Sequence, residues 1–258
     1  MIARLPLLLL LTLAGGLAQT PLPESKPAAP TRTLRLLPLG EPPPFRQEVR
    51  NGVRYELEQD ADSIPPRQVV LAGDKAATPI LLNLRRATSP VAVPAGTAPV
   101  VLAIPAAGAE AAPVPWLSIS LPETGDVLAL AWRDPTKPWR KPRSLVLPDS
   151  AAAFPAGKVR IVNLLPTEAA AIFGTERVLI PPGKTLQRAV SPGVDLSIQL
   201  AYRTASGELQ QFYSSSLLLN PNERAQVFLY RADGEKPRQP VKTVIFNEAA
   251  PPMLRVSR

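Results

Sequence analysis

The sequence predicts an all-β protein built from two small β-sandwiches in tandem. Three observations carry that prediction. Proline is more than twice as frequent as glycine, 33 residues against 14, while 45% of the chain is hydrophobic. Proline breaks helices and central strands but suits strand edges, turns and extended linkers. From residue 32 onward, short apolar stretches alternate with proline-bearing loops, the pattern of many short strands. Finally, three anchor sequences recur in the same order in the two halves.

The chain opens with one positive side chain, Arg4, followed by an apolar run from Leu5 to Leu13 and then by Gly16-Leu17-Ala18. A positive start, an apolar core and a small-x-small site together predict a secretory signal peptide over 1–18. The core is short of the roughly 20 residues that a membrane span needs. No later stretch is apolar enough to span, so no transmembrane segment is expected in the mature chain. The expected localisation is exported, periplasmic or secreted. Residues 19–31, rich in proline and polar residues, read as an extended linker.

Strands are expected at 67–72, 79–86, 98–104, 117–121, 126–133 and 143–147. The clearest hairpin is 45–58, where Asn51-Gly52 supplies the two positive φ angles of a type I′ turn. Beyond that turn Val53, Tyr55 and Leu57 alternate with Arg54, Glu56 and Glu58, predicting one buried and one wet face. The run Glu168–Ala171 is hemmed by Pro166 and Gly174 and is read as strand or turn. The Ala/Pro-rich stretch 90–115 reads as strand plus loop. Trp116, Phe212, Phe228 and Phe246 are assigned to the core.

In the duplication, Leu34-Arg35-Leu36-Leu37 matches Val159-Arg160-Ile161-Val162. Ile64-Pro65-Pro66 matches Ile180-Pro181-Pro182, with Ile80, Leu82 and Leu84 falling on Leu196, Ile198 and Leu200. Residues 132–149 lie on 231–248 without a gap, so that Asp149 meets Glu248. The offset shrinks from 125 to 116 to 99 residues, which places insertions in the first copy, where loops tolerate them. The predicted organisation is domain 1 at 32–149, a linker at 150–158, domain 2 at 159–249 and a tail at 250–258. Two copies with seven or so strands each suggest immunoglobulin-like sandwiches.

Residues 159–166, Val-Arg-Ile-Val-Asn-Leu-Leu-Pro, carry a V-R-x-V-N-x-x-P first strand. This resembles exported bacterial β-sandwich domains of unknown function, over about 90 residues of the second copy. The resemblance implies a sandwich in an envelope or secreted protein and carries over no catalytic residue. The first copy departs from it, with Pro38 where Asn163 is expected. Tandem sandwiches behind a signal peptide also look like periplasmic pilus chaperones, which add a partner's strand to a sheet edge and clamp its C-terminal carboxylate. That likeness would cast Arg35 and Lys137 as the clamp.

Composition removes most site chemistry. The chain has no Cys and no His. Disulfides, Cys- or His-based zinc sites, a Ser-His-Asp triad and a His-ligated haem are therefore impossible. No cofactor is expected. Oxygen-ligand calcium sites and carboxylate catalysis survive, and Glu56, Glu58, Asp60 and Asp62 are the acidic set that could serve either. The formal charge of +8, which falls by one when Arg4 is removed, favours anionic envelope polymers, lipid head groups or acidic envelope proteins as partners. Nucleic acid is not expected, since no reader motif is present.

The candidate binding face is a pair of basic hairpins. In the first copy Lys137, Arg140, Lys141 and Arg143 surround Trp139, with Trp132 close by. In the second, Arg231, Lys236, Arg238 and Lys242 cluster near Tyr230. Cations beside flat aromatic faces can hold sugars, anionic polymers or an acidic loop. The same charges and prolines could equally serve to keep edge strands from aggregating. The expectation is a non-enzymatic envelope protein acting as a structural or interaction module. The alternatives are a chaperone or assembly factor that binds through a sheet edge, and a glycoside hydrolase using carboxylates alone.

Overall fold

The structure, a computed structural model, describes residues 31–43, 46–58, 62–73, 78–106, 112–134, 139–233 and 237–251. The predicted signal peptide and nearly all of the linker lie outside the described residues. Those described form eighteen strands and no helix. In the first half these are β1 (Thr31–Leu39), β2 (Gln47–Arg50), β3 (Val53–Glu56), β4 (Gln68–Leu71), β5 (Ile80–Leu81), β6 (Val91–Pro94), β7 (Val100–Ile104), β8 (Val114–Ile119), β9 (Val127–Trp132) and β10 (Arg143–Pro148). In the second they are β11 (Lys158–Asn163), β12 (Ala169–Phe173), β13 (Glu176–Ile180), β14 (Thr185–Ala189), β15 (Leu196–Arg203), β16 (Leu209–Leu217), β17 (Glu223–Arg231) and β18 (Val241–Ala249).

Each half is a sandwich of two four-stranded sheets. Domain 1 pairs β10-β9-β1-β6 with β5-β4-β7-β8; domain 2 pairs β18-β17-β11-β14 with β13-β12-β15-β16. With the β2–β3 hairpin set aside, strand follows strand in the same order in both. In each, the first strand runs parallel to the seventh: β1 to β9 and β11 to β17. The third-second-fifth-sixth sheet has the C′-C-F-G order of an immunoglobulin domain, while the seventh strand sits where strand A would lie beside B.

The sandwiches stack face to face. Leu34 and Leu36 of β1 point into the domain 1 core, whereas Leu37 and Leu39 belong to a third cluster shared with Leu128, Leu130, Val162, Phe228 and Tyr230. Val159 and Ile161 of β11 likewise enter the domain 2 core, and Val162 faces across. Strands buried on both faces read as continuous apolar runs rather than as strict alternation. That explains the near-unbroken apolar character of 34–39 and 159–165.

Register corrects the repeat in two places. The first anchor holds, since β1 and β11 occupy the same place. The third holds along β10 and β18. It slips by one residue where it starts, at the end of β9: Leu34 pairs with Val127 but Val159 pairs with Ala225, so Trp132 lies on Tyr230 rather than on Arg231. A one-residue shift flips a side chain to the other face of its sheet. The second anchor is not an equivalence. Ile64-Pro65-Pro66 precedes β4, while Ile180 ends β13; Leu196–Leu200 belongs to the fifth strand of its sandwich, whereas Ile80–Leu81 is the third. Alternating apolar residues beside a proline turn are common to any strand, so that pattern does not fix which strand is meant.

The 45–58 hairpin is also corrected. Asn51 and Gly52 have φ of 53° and 77°, as the turn requires. Among the described residues the two strands pair only with each other, however, and every residue of β3 is exposed. Val53 and Tyr55 do not enter a core, because no second layer of described residues covers this two-stranded sheet. The expected linker 150–158 is no loose tether either. It is a compact turn with Phe154 fully buried.

Candidate functional site

The basic hairpins grow from the ends of β9–β10 and β17–β18, and their bases meet. Arg133 Nε donates to Asp233 Oδ1 at 3.0 Å, and the Glu41 amide donates to Asp233 Oδ2 at 3.0 Å. Gly40 leaves room there. A Cβ at that position would lie 3.2 Å from Asp233 Oδ2 and 3.2 Å from Trp139 Cζ2. Tyr230 donates its hydroxyl to Glu41 Oε1 at 2.8 Å. Burial, and then the Glu41 carboxylate, push the Tyr230 hydroxyl well above the usual phenol range.

Around this junction the predicted residues divide. Arg140, Lys141, Arg143, Arg231 and Arg238 are exposed. Arg140 donates to Asp62 Oδ2 at 2.6 Å, and Arg143 lies 3.7 Å from Asp134. Arg238 and Lys242 line a cavity of about 460 Å³ with Glu41 and Asp233. Lys137 and Lys236 lie outside the described residues. Trp139 is corrected. It is 1% exposed and packs in the domain 1 core, where Trp116 Nε1 donates to its carbonyl at 2.7 Å, so it offers no flat face to a ligand. Trp132 packs against the inter-domain cluster. The sequence placed both tryptophans beside cations, but the turn after β9 folds Trp139 into the core beside Gly40, and its place at the end of β9 sets Trp132 on the inter-domain cluster.

The acidic set does not assemble. Glu56 and Glu58 are exposed and Asp62 is engaged by Arg140; Asp60 lies outside the described residues. Among the described residues no three metal-ligating side chains gather. No helix among them is long and apolar enough to cross a membrane.

The densest polar cluster lies at the opposite end of the inter-domain face, and the sequence reading did not assemble it. Arg35 reaches Asp149 at 3.0 Å and Glu248 at 2.7 Å. Arg160 reaches Asp149 at 3.3 Å; Arg224 reaches Asp149 at 2.9 Å and Glu248 at 2.9 Å. Gln226 accepts from Arg160 and donates to Glu248. The ring of Phe154 lies 4.2 Å from the Arg160 guanidinium and 4.8 Å from that of Arg224. The arrangement is quasi-symmetric. The arginine of each first strand, Arg35 or Arg160, meets the acid that stands at the last strand of the other sandwich. The only clue in the sequence was that these residues fell on each other in the repeat. Pairing across domains required the stacking.

Five charges in a largely buried layer perturb one another. Burial pushes the Asp149 carboxyl up, against the pull of Arg35, Arg224 and Arg160. Burial also opposes the charge on Glu248, but the Arg35 hydrogen bond and the nearby cations outweigh it and hold that carboxyl below its usual range. Arg160 is drawn down to about 10 by burial and stays charged at neutral pH. The carboxylates that Arg35 holds are internal. That leaves it no free fork for a partner's carboxylate, the role the chaperone likeness would give it. Asn163 of the V-R-x-V-N segment is likewise structural. Its Nδ2 donates to the carbonyls of Thr167 and Ile180, and its Oδ1 accepts from the Leu165 amide. No protein-family model matches the chain, and no curated protein matches it.

Proposed function

We propose that this protein is a non-enzymatic, exported module of the cell envelope that engages an anionic partner through the basic end where the two hairpins meet. The observation that carries this reading is geometric. Apolar stacking and the buried ion cluster join the sandwiches, and at the far end, where Arg133 meets Asp233, the two hairpins carry the exposed cations Arg140, Lys141, Arg143, Arg231 and Arg238. Two copies of a basic hairpin held side by side give a field that neither gives alone, and a rigid mount avoids the entropy cost of ordering it on binding. Export rests on the signal-like residues 1–18. An envelope polymer or an acidic envelope protein supplies the complementary charge.

The test is retention on an isolated envelope fraction, followed by elution with salt. A variant with Arg140, Lys141, Arg231 and Arg238 all changed to Glu should pass through unretained while keeping the parent's circular dichroism. Retention equal to that of the parent protein would end the proposal.

A further inference from the structure

Domain 1 has a groove whose equivalent place in domain 2 is filled among the described residues, and the difference traces to two positions. The groove has a volume of about 740 Å³ and lies where β6 faces the end of β4 and the start of β7. Its walls are almost wholly small and apolar: Leu71, Ala92, Val93, Val100 and Val101 among them. The exception is Arg32. It lies opposite Val93 in the β1–β6 ladder, on the core-facing side of β1 with Leu34 and Leu36. Its side chain is 2% exposed, and its Nε and Nη1 have no hydrogen-bond partner among the described residues.

In domain 2 the register that sets Leu34 on Val159 sets Arg32 on Gly157. The register that sets Val69 on Ala169 sets Gly73 on Phe173. Phe173 is buried there and carries Arg188 over its ring at 4.4 Å, while Arg188 pairs with Glu176. The second sandwich therefore fills this space with an aromatic ring and gives its nearest arginine a counter-ion. The first leaves the space open among the described residues, beside a buried guanidinium whose Nε and Nη1 lack partners there. A buried cation without a partner is strongly unfavourable, and an apolar cavity of this size with one oriented polar group is the form of a small-molecule site.

We propose that this groove binds an aliphatic carboxylate, the chain lying along the apolar walls and the head group accepting hydrogen bonds from the Arg32 guanidinium. A carboxylate matches the planar guanidinium bidentately. Pro94 and Pro99 on the rim remove backbone donors, which favours a ligand held by apolar contact and one charge over an added peptide strand.

The experiment is titration calorimetry of the purified protein with dodecanoate, with dodecanol as the uncharged control. Dodecanoate should bind and dodecanol should bind at least about tenfold more weakly. Arg32→Met should weaken dodecanoate by about tenfold to a hundredfold, the range for a charge-assisted hydrogen bond. Ala98→Trp, on the exposed rim, should block both ligands and leave the fold intact, which guards against an Arg32 variant that fails to fold. Equal affinity for both ligands, or a dodecanoate affinity unchanged by Ala98→Trp, would overturn the proposal. So would dodecanoate binding that appears only when Glu24, the one acid of the preceding segment 19–31, is changed to Gln, because the groove would then belong to that segment.

Discussion

Domain 1 and domain 2 share eight strands in the same order, yet they are finished differently. Domain 2 is closed: Phe173 and Val190 seal the end of its core, and Asn163 locks the exit of its first strand. Domain 1 carries an extra hairpin after β1, has Pro38 in place of that asparagine and, among the described residues, leaves its corresponding end open beside Arg32. The comparison teaches where a duplicated fold is free to diverge. The strands that face the other sandwich are buried on both sides and keep their pattern, because any change there disturbs two cores at once. The far edge and the loops contact one core or none, and there the copies have parted.

The sharpest break of this comparison is Arg224→Met in the shared layer. It uncouples a buried cation from two acids and two carbonyls and should cost about 3–5 kcal/mol in urea unfolding. The exposed Arg140–Asp62 pair is the control, and Arg140→Met should cost about 0–1 kcal/mol. Similar losses for the two would mean that the inter-domain layer is not what fixes the sandwiches together. Next in size is Phe173→Ala, which makes domain 2 resemble the open end of domain 1. A loss of about 3 kcal/mol is expected from the ring and the cavity it leaves, read in the same denaturant series.

Acid should sharpen the comparison further. The ordinary value for Glu248 is 4.5, and in the folded protein its carboxyl lies lower. Its ion pairs are therefore fully present above about pH 4.5 and are lost as pH falls through the lowered value. Asp149 runs the other way: burial raises its carboxyl, so it takes its proton first on acidification. Calorimetric Tm from neutral pH down to about pH 3 should fall more steeply for the parent protein than for Glu248→Gln; parallel curves would remove Glu248 from the account. The smallest effect belongs to the extra hairpin. Tyr55→Ala, at a side chain 49% exposed, should change stability by no more than about 0.5 kcal/mol, and a larger loss in thermal melts would show that the hairpin docks on the sandwich.

Part of the candidate site could be read in the sequence. The basic hairpins stand out because charge and proline cluster at strand ends, and most of their described cations are in fact exposed. Trp139 could not be placed, since an aromatic beside lysines and arginines looks the same whether its loop leaves it outward or folds it inward. The ion cluster and the Arg32 groove were harder still. Arg35, Asp149, Arg160, Arg224 and Glu248 are spread over more than two hundred residues, and Arg32 is a single charge in a strand. Nothing local distinguishes them from solvated surface.

By itself the sequence determined the all-β class, the Asn51-Gly52 turn and the presence of two similar halves. Each depends on short-range rules: proline's geometry, the φ a turn needs and the two-residue period of a strand. Tertiary structure alone decided which strands correspond, which charges are buried together and which end of a sandwich stays open. These depend on register and on what packs over each face, and a shift of one residue, or one missing layer, reverses the answer without changing the local pattern.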